Sequence, residues 1–297
     1  MSTLPPSGPA APDAAGPDPT DDPSNDQAAP TGATESRPHL RVERPSAGVV
    51  RLVLDNPGQR NAMSEQMTAS WVEAVDELAA DPSVRVVVVT GEGSAFCSGG
   101  DTSWIASEPD AGVDHLRTRM MAFYRAWLSV RRLEVPTIAA VNGPAIGAGL
   151  CLALACDLRY AARGARLGAP FVKLGMNPGM GATYLLPDVV GEAHARELLL
   201  TGRTVEAEEA RELGLVSRVF EPDSMAAAVE EIAIGIAATA PIASRYTKLA
   251  LRDGKARDLE TCLQWEALAQ PVTLATADLQ EGVRAAREKR APQFRGH

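Results

Sequence analysis

The sequence predicts an α/β fold that gives way to helices toward the C-terminus. Three observations carry this prediction. Val84 to Val89 and Val135 to Val141 are short, nearly continuous apolar runs rich in β-branched residues, as expected of strands covered on both faces. Each is followed by a glycine-rich turn, and segments with helical spacing lie between such strands. From Glu192 onward the pattern becomes predominantly helical.

The elements follow in order. His39-Leu-Arg-Val-Glu-Arg44 and Gly48-Val-Val-Arg-Leu-Val-Leu-Asp55 alternate with period two around a Pro45-Ser-Ala-Gly48 turn, which reads as a strand pair. Asn56-Pro-Gly58 breaks the second strand. Ser64 is an N-cap candidate for a helix whose apolar stripe is Met67, Trp71, Val75 and Leu78, and Asp81-Pro82 stops it. The strand Val84 to Val89 leads into the loop Gly91-Glu-Gly-Ser-Ala-Phe-Cys-Ser-Gly-Gly-Asp101, then a helix over 112–132 and the strand Val135 to Val141. A turn and an apolar helix follow in Val141-Asn-Gly-Pro-Ala-Ile-Gly-Ala-Gly149 and the residues up to Asp157. Leu158 to Ala162, Arg166 to Ala169 and Gly179 to Leu186 repeat the strand, turn and helix pattern. Helices are then expected over 193–200, 206–213, 224–238, 241–251, 259–269 and 274–289.

Composition narrows the function classes. The segment from Met1 to about Arg37 is dominated by Pro, Ala, Asp, Gly, Ser and Thr, so burial cannot offset its ordering entropy. Residues 1–38 are therefore read as a disordered tail, 39–236 as the core and 237–297 as a helical region for oligomerisation. No stretch reaches the roughly 20 apolar residues of a membrane helix, and a net charge of −9 disfavours nonspecific nucleic-acid binding. Four cysteines, Cys97, Cys151, Cys156 and Cys262, show neither a metal-type spacing nor a disulfide framework, which suits a reducing cytoplasm.

The chemistry is expected at two turns, Ser98-Gly-Gly100 and Gly147-Ala-Gly149. Each follows a β-branched strand, so in a parallel sheet both open on one edge. Two backbone amides converging on one oxygen make an oxyanion hole, and the helix after Gly149 adds its positive end. Taken singly, the glycines are explained as well by tight turns alone.

At these motifs the chain resembles the crotonase superfamily, the enoyl-CoA hydratase/isomerase family. The resemblance runs from about His39 to the C-terminus. It rests on Asn56-Pro-Gly-Gln-Arg-Asn-Ala-Met-Ser64, Phe96-Cys-Ser-Gly-Gly-Asp101, Val141 to Gly149, Gly175-Met-Asn-Pro-Gly-Met-Gly-Ala-Thr183, Thr201-Gly-Arg203 and Glu288-Lys-Arg-Ala-Pro-Gln-Phe294. It implies a spiral of ββα units with a C-terminal helical trimerisation region, a homotrimer or dimer of trimers, and an acyl-CoA substrate with no other cofactor. It also implies that the amides of Gly100 and Ala148 form the oxyanion hole. Arg60, Ala62 and Phe171 fall at the substrate, with Arg60 near the coenzyme A phosphates, and Lys289 reaches a neighbouring subunit's nucleotide. Ala148 replaces a residue that is often glycine, which is tolerable unless the turn demands a positive φ there. Ala286 stands where relatives often carry a Phe near the adenine.

The familiar acids are missing. By the same resemblance, the two hydratase glutamates fall at Cys151 and Phe171, and the aspartate of some isomerases at Gly179. Cys151 is weighed as a weak acid or base against a small buried residue of an apolar helix. Tyr184, Asp101, Glu108, Asp110, Asp114 and His115 are further candidates, with Asp101 also readable as a loop cap and His115 as a solvent-facing residue; Asp157 reads as a helix end or a locally paired residue with no catalytic role. The leading expectation is an acyl-CoA enzyme that stabilises an enolate, by isomerisation, decarboxylation or related chemistry rather than two-glutamate hydration. The alternative is an acyl-CoA-binding homologue that has lost proton transfer. Nucleotide binding through the glycine loops alone lacks the Lys-Ser/Thr pattern that holds phosphate.

Overall fold

A computed structural model of the chain describes residues 31–253 and 258–297. The predicted tail lies mostly outside the described residues, but its last part is ordered differently from expectation. Thr34–Arg37 forms strand β1, paired antiparallel with β2 (Leu40–Ser46). Its side chains are mostly exposed, which is why no apolar pattern announced it. Backbone pairing and the Arg37 ion pairs with Glu73 and Glu77 of the first helix hold it.

β3 (Val49–Leu54) pairs antiparallel with β2 across the expected turn. Helix α1 (Glu65–Ala80) then carries the chain to β4 (Val86–Gly91), which lies parallel to β3. Ser64 caps α1 by accepting a hydrogen bond from the Met67 amide. α2 (Thr102–Ile105) and α3 (Val113–Trp127) precede β5 (Thr137–Val141). The helix predicted over 112–132 ends early, because Leu128–Arg132 tightens into a 3-10 turn.

The strand order β1-β2-β3-β4-β5-β7-β10 completes a seven-stranded sheet with β7 (Leu158–Ala162) and β10 (Arg218–Phe220). A smaller sheet holds β6 (Ala145–Ile146), β8 (Arg166–Gly168) and β9 (Thr204–Glu206). The valines of β4 divide with period two: Val87 and Val89 join the main core, whereas Val86 and Val88 pack in a second cluster beneath α7 (Pro222–Ala237). That two-sided burial is what the continuous apolar run encoded. On the α1 side, the Trp71 and Trp127 rings stack 5.1 Å apart, joining α1 to α3.

α4 (Ala148–Ala155) is buried along its whole length. α5 (Ala182–Thr201) breaks at Gly191 (φ 76°, ψ 164°), so its two halves are separate helices, and α6 (Ala207–Glu212) follows. The C-terminal helices are α8 (Pro241–Asp253), α9 (Leu259–Leu274) and α10 (Ala277–Glu288). α9 continues beyond its predicted end through Pro271. No single helix among the described residues is long and apolar enough to cross a membrane.

Candidate active site

Three loops meet at one edge of the main sheet. The loop after β4 and the loop after β5 are joined by two backbone hydrogen bonds, Cys97 N to Pro144 O at 3.1 Å and Ile146 N to Cys97 O at 2.9 Å. Between them, the Asn142 side chain accepts from the Gly91 amide and donates to Gly93 O. The third loop, after β3, donates from Met63 N to Gly99 O at 2.8 Å and accepts at Arg60 O from Ser98 N at 3.0 Å. Its organiser is Asn61, wholly buried and in the left-handed region at φ 54°. The Asn61 carboxamide accepts from Asn56 N and donates to Glu92 O and Ala95 O, so one side chain ties two loops together.

The close approach of these loops depends on glycine. A Cβ on Gly149 would collide with the Cys97 carbonyl, whose carbon would lie 2.9 Å away. A Cβ on Gly99 (φ 99°) would stand 2.7 Å from Ile146 O and 3.3 Å from the Ala148 amide nitrogen. The loop that carries the Gly100 amide therefore lies against the Ala148 amide. Neither donates to a backbone or side-chain acceptor among the described residues. For Ala148 the reason is general, since the first amides of a helix have no acceptor within it. Gly147, the N-cap of α4, takes the positive φ (58°), while Ala148 is already helical. The backbone demand falls one residue before Ala148, so its methyl group is compatible with the turn. A free amide at the start of a buried helix, with a second on the adjoining loop, can receive a carbonyl oxygen that gains negative charge.

The surroundings are apolar. The α-carbon of Gly100 faces Ile105 and Phe123, and the Phe171 ring lies against Gly147. Cys151 follows Ala148 by three residues, hence on the same side of α4. It is fully buried, and its thiol points to Gly179 O at 3.6 Å. Burial pushes the thiol up to about 12, against any lowering by the helix N-terminus. Cys151 thus remains a neutral thiol near pH 7. Gly179 faces the phenol of Tyr124: a Cβ there would strike the hydroxyl and stand 2.9 Å from Cζ. Burial, then the neighbouring Cys151, raise the Tyr124 pKa above its ordinary value, while the Met180 amide facing the phenol oxygen opposes them.

The remaining sequence candidates separate. Arg60 and Ala62 sit on the loop bonded to Gly99 and Ser98, with the Arg60 side chain exposed. Lys289 caps the end of α10, exposed on a helix that packs against α9 and outside the loops of the cradle. Asp101 caps α2 by accepting from the Ser103 and Trp104 amides. His115 is exposed and pairs with Glu108, and Tyr184 is exposed beside the Gly181 turn. Asp157 pairs with Lys248 and Thr137 rather than within its own helix.

Residues 44–297 match the family model described as enoyl-CoA hydratase/isomerase. The chain belongs to the enoyl-CoA hydratase/isomerase family. A Thermus thermophilus protein provisionally named an enoyl-CoA hydratase is 40% identical over 255 residues, which span 86% of this chain and all of the relative. Mitochondrial methylglutaconyl-CoA hydratase of Rattus norvegicus is 35% identical, over 89% of this chain and 84% of that protein. Among solved structures, an enoyl-CoA hydratase from Bacillus anthracis superposes with a TM-score of 0.83 at 35% identity, covering 87% of this chain and 100% of that one. These matches establish the crotonase-type fold and the family's class of coenzyme A thioester substrate.

In this enoyl-CoA hydratase/isomerase family member, Tyr124 of α3 faces Gly179, a relation that the sequence does not announce. It belongs to a cluster on α3 with Met120, Phe123 and Trp127, all of which pack toward the main core. A single hydroxyl among those apolar residues was the available signal.

Proposed function

We propose that the chain binds an acyl-CoA thioester with its carbonyl oxygen between the amides of Gly100 and Ala148, and that it forms an enolate without a carboxylate pair. One observation carries this reading: beside two unpaired amides, positions 151, 171 and 179 present a neutral buried thiol, a phenyl ring and no side chain. Hydration needs one group to activate water and another to protonate carbon. Decarboxylation of a malonyl-type thioester needs no base, because departing CO2 leaves its electron pair to the thioester, where the amides stabilise it on oxygen. Decarboxylation is therefore the preferred reaction, with isomerisation of an enoyl thioester next. Hydration is the second reading, favoured by the hydratase names of the relatives.

In this reading Phe171 walls the acyl group, while Arg60 and Ala62 line the path to the nucleotide. Coenzyme A enters only as part of the substrate. Lys289 serves a neighbouring subunit's nucleotide in a trimer or dimer of trimers. Exposed apolar residues along α9, among them Leu259, Leu263, Leu268 and Val272, support such an assembly. A monomeric mass by light scattering would remove the assembly and the role of Lys289 together.

The reaction is tested by titrating a saturated acyl-CoA, then offering 2-enoyl, 3-enoyl and malonyl-type thioesters with detection by mass spectrometry. Conversion of the malonyl-type ester supports the preferred reading. Water addition to the 2-enoyl ester supports hydration, and binding with no conversion supports a binding protein that has lost proton transfer. Gly100→Pro, which removes one amide, is expected to lower turnover by about 100-fold or more.

A further inference from the structure

We propose that the Tyr124 hydroxyl is the proton donor to the enolate carbon, standing through space where residue 179 has no side chain. The inference rests on the enolate-forming reading above. Gly179 and Tyr124 exclude each other, since any side chain at 179 would occupy the position of the phenol oxygen. Tyr124 thus reaches the acid position left open at 179, in the loop before α5, from helix α3. It is also continuous with the cradle: the preceding residue, Phe123, faces the α-carbon of Gly100, and Cys151 of α4 points to the Gly179 carbonyl.

Hydrogen-bond roles agree with a donor. A protonated phenol carries one hydrogen that it can donate. The Cys151 thiol is directed to Gly179 O and does not compete for the incoming carbon. Burial keeps the phenol protonated at neutral pH, as an acid requires and a base does not. Met180 itself is a buried non-glycine residue held at φ 49°, so the backbone beside the phenol is fixed in a costly conformation.

Loss of CO2 from a malonyl-type thioester breaks the carbon–carboxylate bond, and its electron pair moves onto the thioester oxygen between the Gly100 and Ala148 amides. That pair returns to form a C–H bond at the α-carbon as the Tyr124 O–H bond breaks. The phenolate then takes a proton from solvent water, and the hydroxide released combines with CO2 as bicarbonate.

Full-length wild type, Tyr124→Phe and Gly179→Ala are compared for turnover of the thioester that the wild type converts and for affinity toward a saturated acyl-CoA. Tyr124→Phe removes a single oxygen, and a thermal melt confirms its fold. The proposal expects kcat to fall about 100-fold or more with Kd changed less than about threefold. Gly179→Ala, which keeps Tyr124 but displaces its hydroxyl, should lower kcat in the same direction. A Tyr124→Phe kcat within about threefold of wild type overturns the proposal and leaves the enolate reading intact. A wild type that converts none of the thioesters overturns that reading, and the role of Tyr124 falls with it.

Discussion

The Lys248 ammonium lies 2.8 Å from Asp157 Oδ2 and donates, also at 2.8 Å, to the Val135 carbonyl. The same carboxylate oxygen accepts from the Thr137 amide and hydroxyl. One lysine of α8 is thereby joined to the starts of β5 and β7, anchoring the C-terminal helices to the sheet. The lysine is almost wholly buried and its partner about one third exposed. Lys248→Met should therefore cost about 2 kcal/mol, below the range for a fully buried pair broken on one side. Urea unfolding measures the loss, and unchanged stability would show that the pair anchors nothing.

Two adjacent positions in the cradle should respond oppositely to a one-carbon change. Gly149→Ala drives a methyl group into the Cys97 backbone and is expected to cost about 3 kcal/mol or to prevent folding. Ala148→Gly only adds backbone freedom at the start of a helix and should cost about 1 kcal/mol or less. Thermal melts of the two variants, side by side, check the contrast.

Thiol reactivity should divide by burial. Cys97, Cys151 and Cys156 are buried, with their thiols pushed up to about 12, whereas Cys262 is partly exposed. Brief treatment of the native protein with iodoacetamide at pH 8 is expected to label Cys262 alone. Labelling at Cys151 under those conditions would contradict its assignment as an inert core thiol.

Acid should loosen the C-terminus. Hydrogen bonds from Arg290 and from the Gln293 amide hold Glu281 at about 2, down from 4.5. A carboxylate depressed by folding contributes stability above its unfolded pKa and loses it as pH falls toward the folded one. The contact between α10 and the terminal residues should therefore weaken from pH 4.5 toward pH 2. Solvent screening keeps the effect small at this exposed pair. Hydrogen exchange at α10, compared at pH 5 and pH 3, should change less in Glu281→Gln than in wild type.

Much of the fold was legible because burial leaves a period. The valines of β4 and the Met67–Trp71–Val75–Leu78 stripe of α1 announced their elements, and Ser64 announced a helix start. β1 was not legible, because its backbone pairing and ion pairs leave no apolar pattern. The two glycine-rich turns could be picked out because close backbone approach of this kind requires glycine, and only the family resemblance singled out Gly100 and Ala148 within them. Tyr124 could not, because its importance lies in what Gly179 lacks 55 positions downstream, and no local pattern records that relation. Asn61 was visible only as a letter in a motif, while its work is to hold Glu92 and Ala95 across a long sequence gap.

The left-handed turn at Gly147 has a consequence for how such a site can change. By taking the unusual dihedral itself, it leaves Ala148 and the rest of α4 with ordinary helical backbone, open to any side chain that fits. On the proposed reading, recognition of the carbonyl is written in the main chain, and the fate of its neighbouring carbons in what stands at positions 151, 171, 179 and 124. The two can drift independently. A lineage can exchange one reaction for another at those four positions while inheriting the carbonyl receptor unaltered.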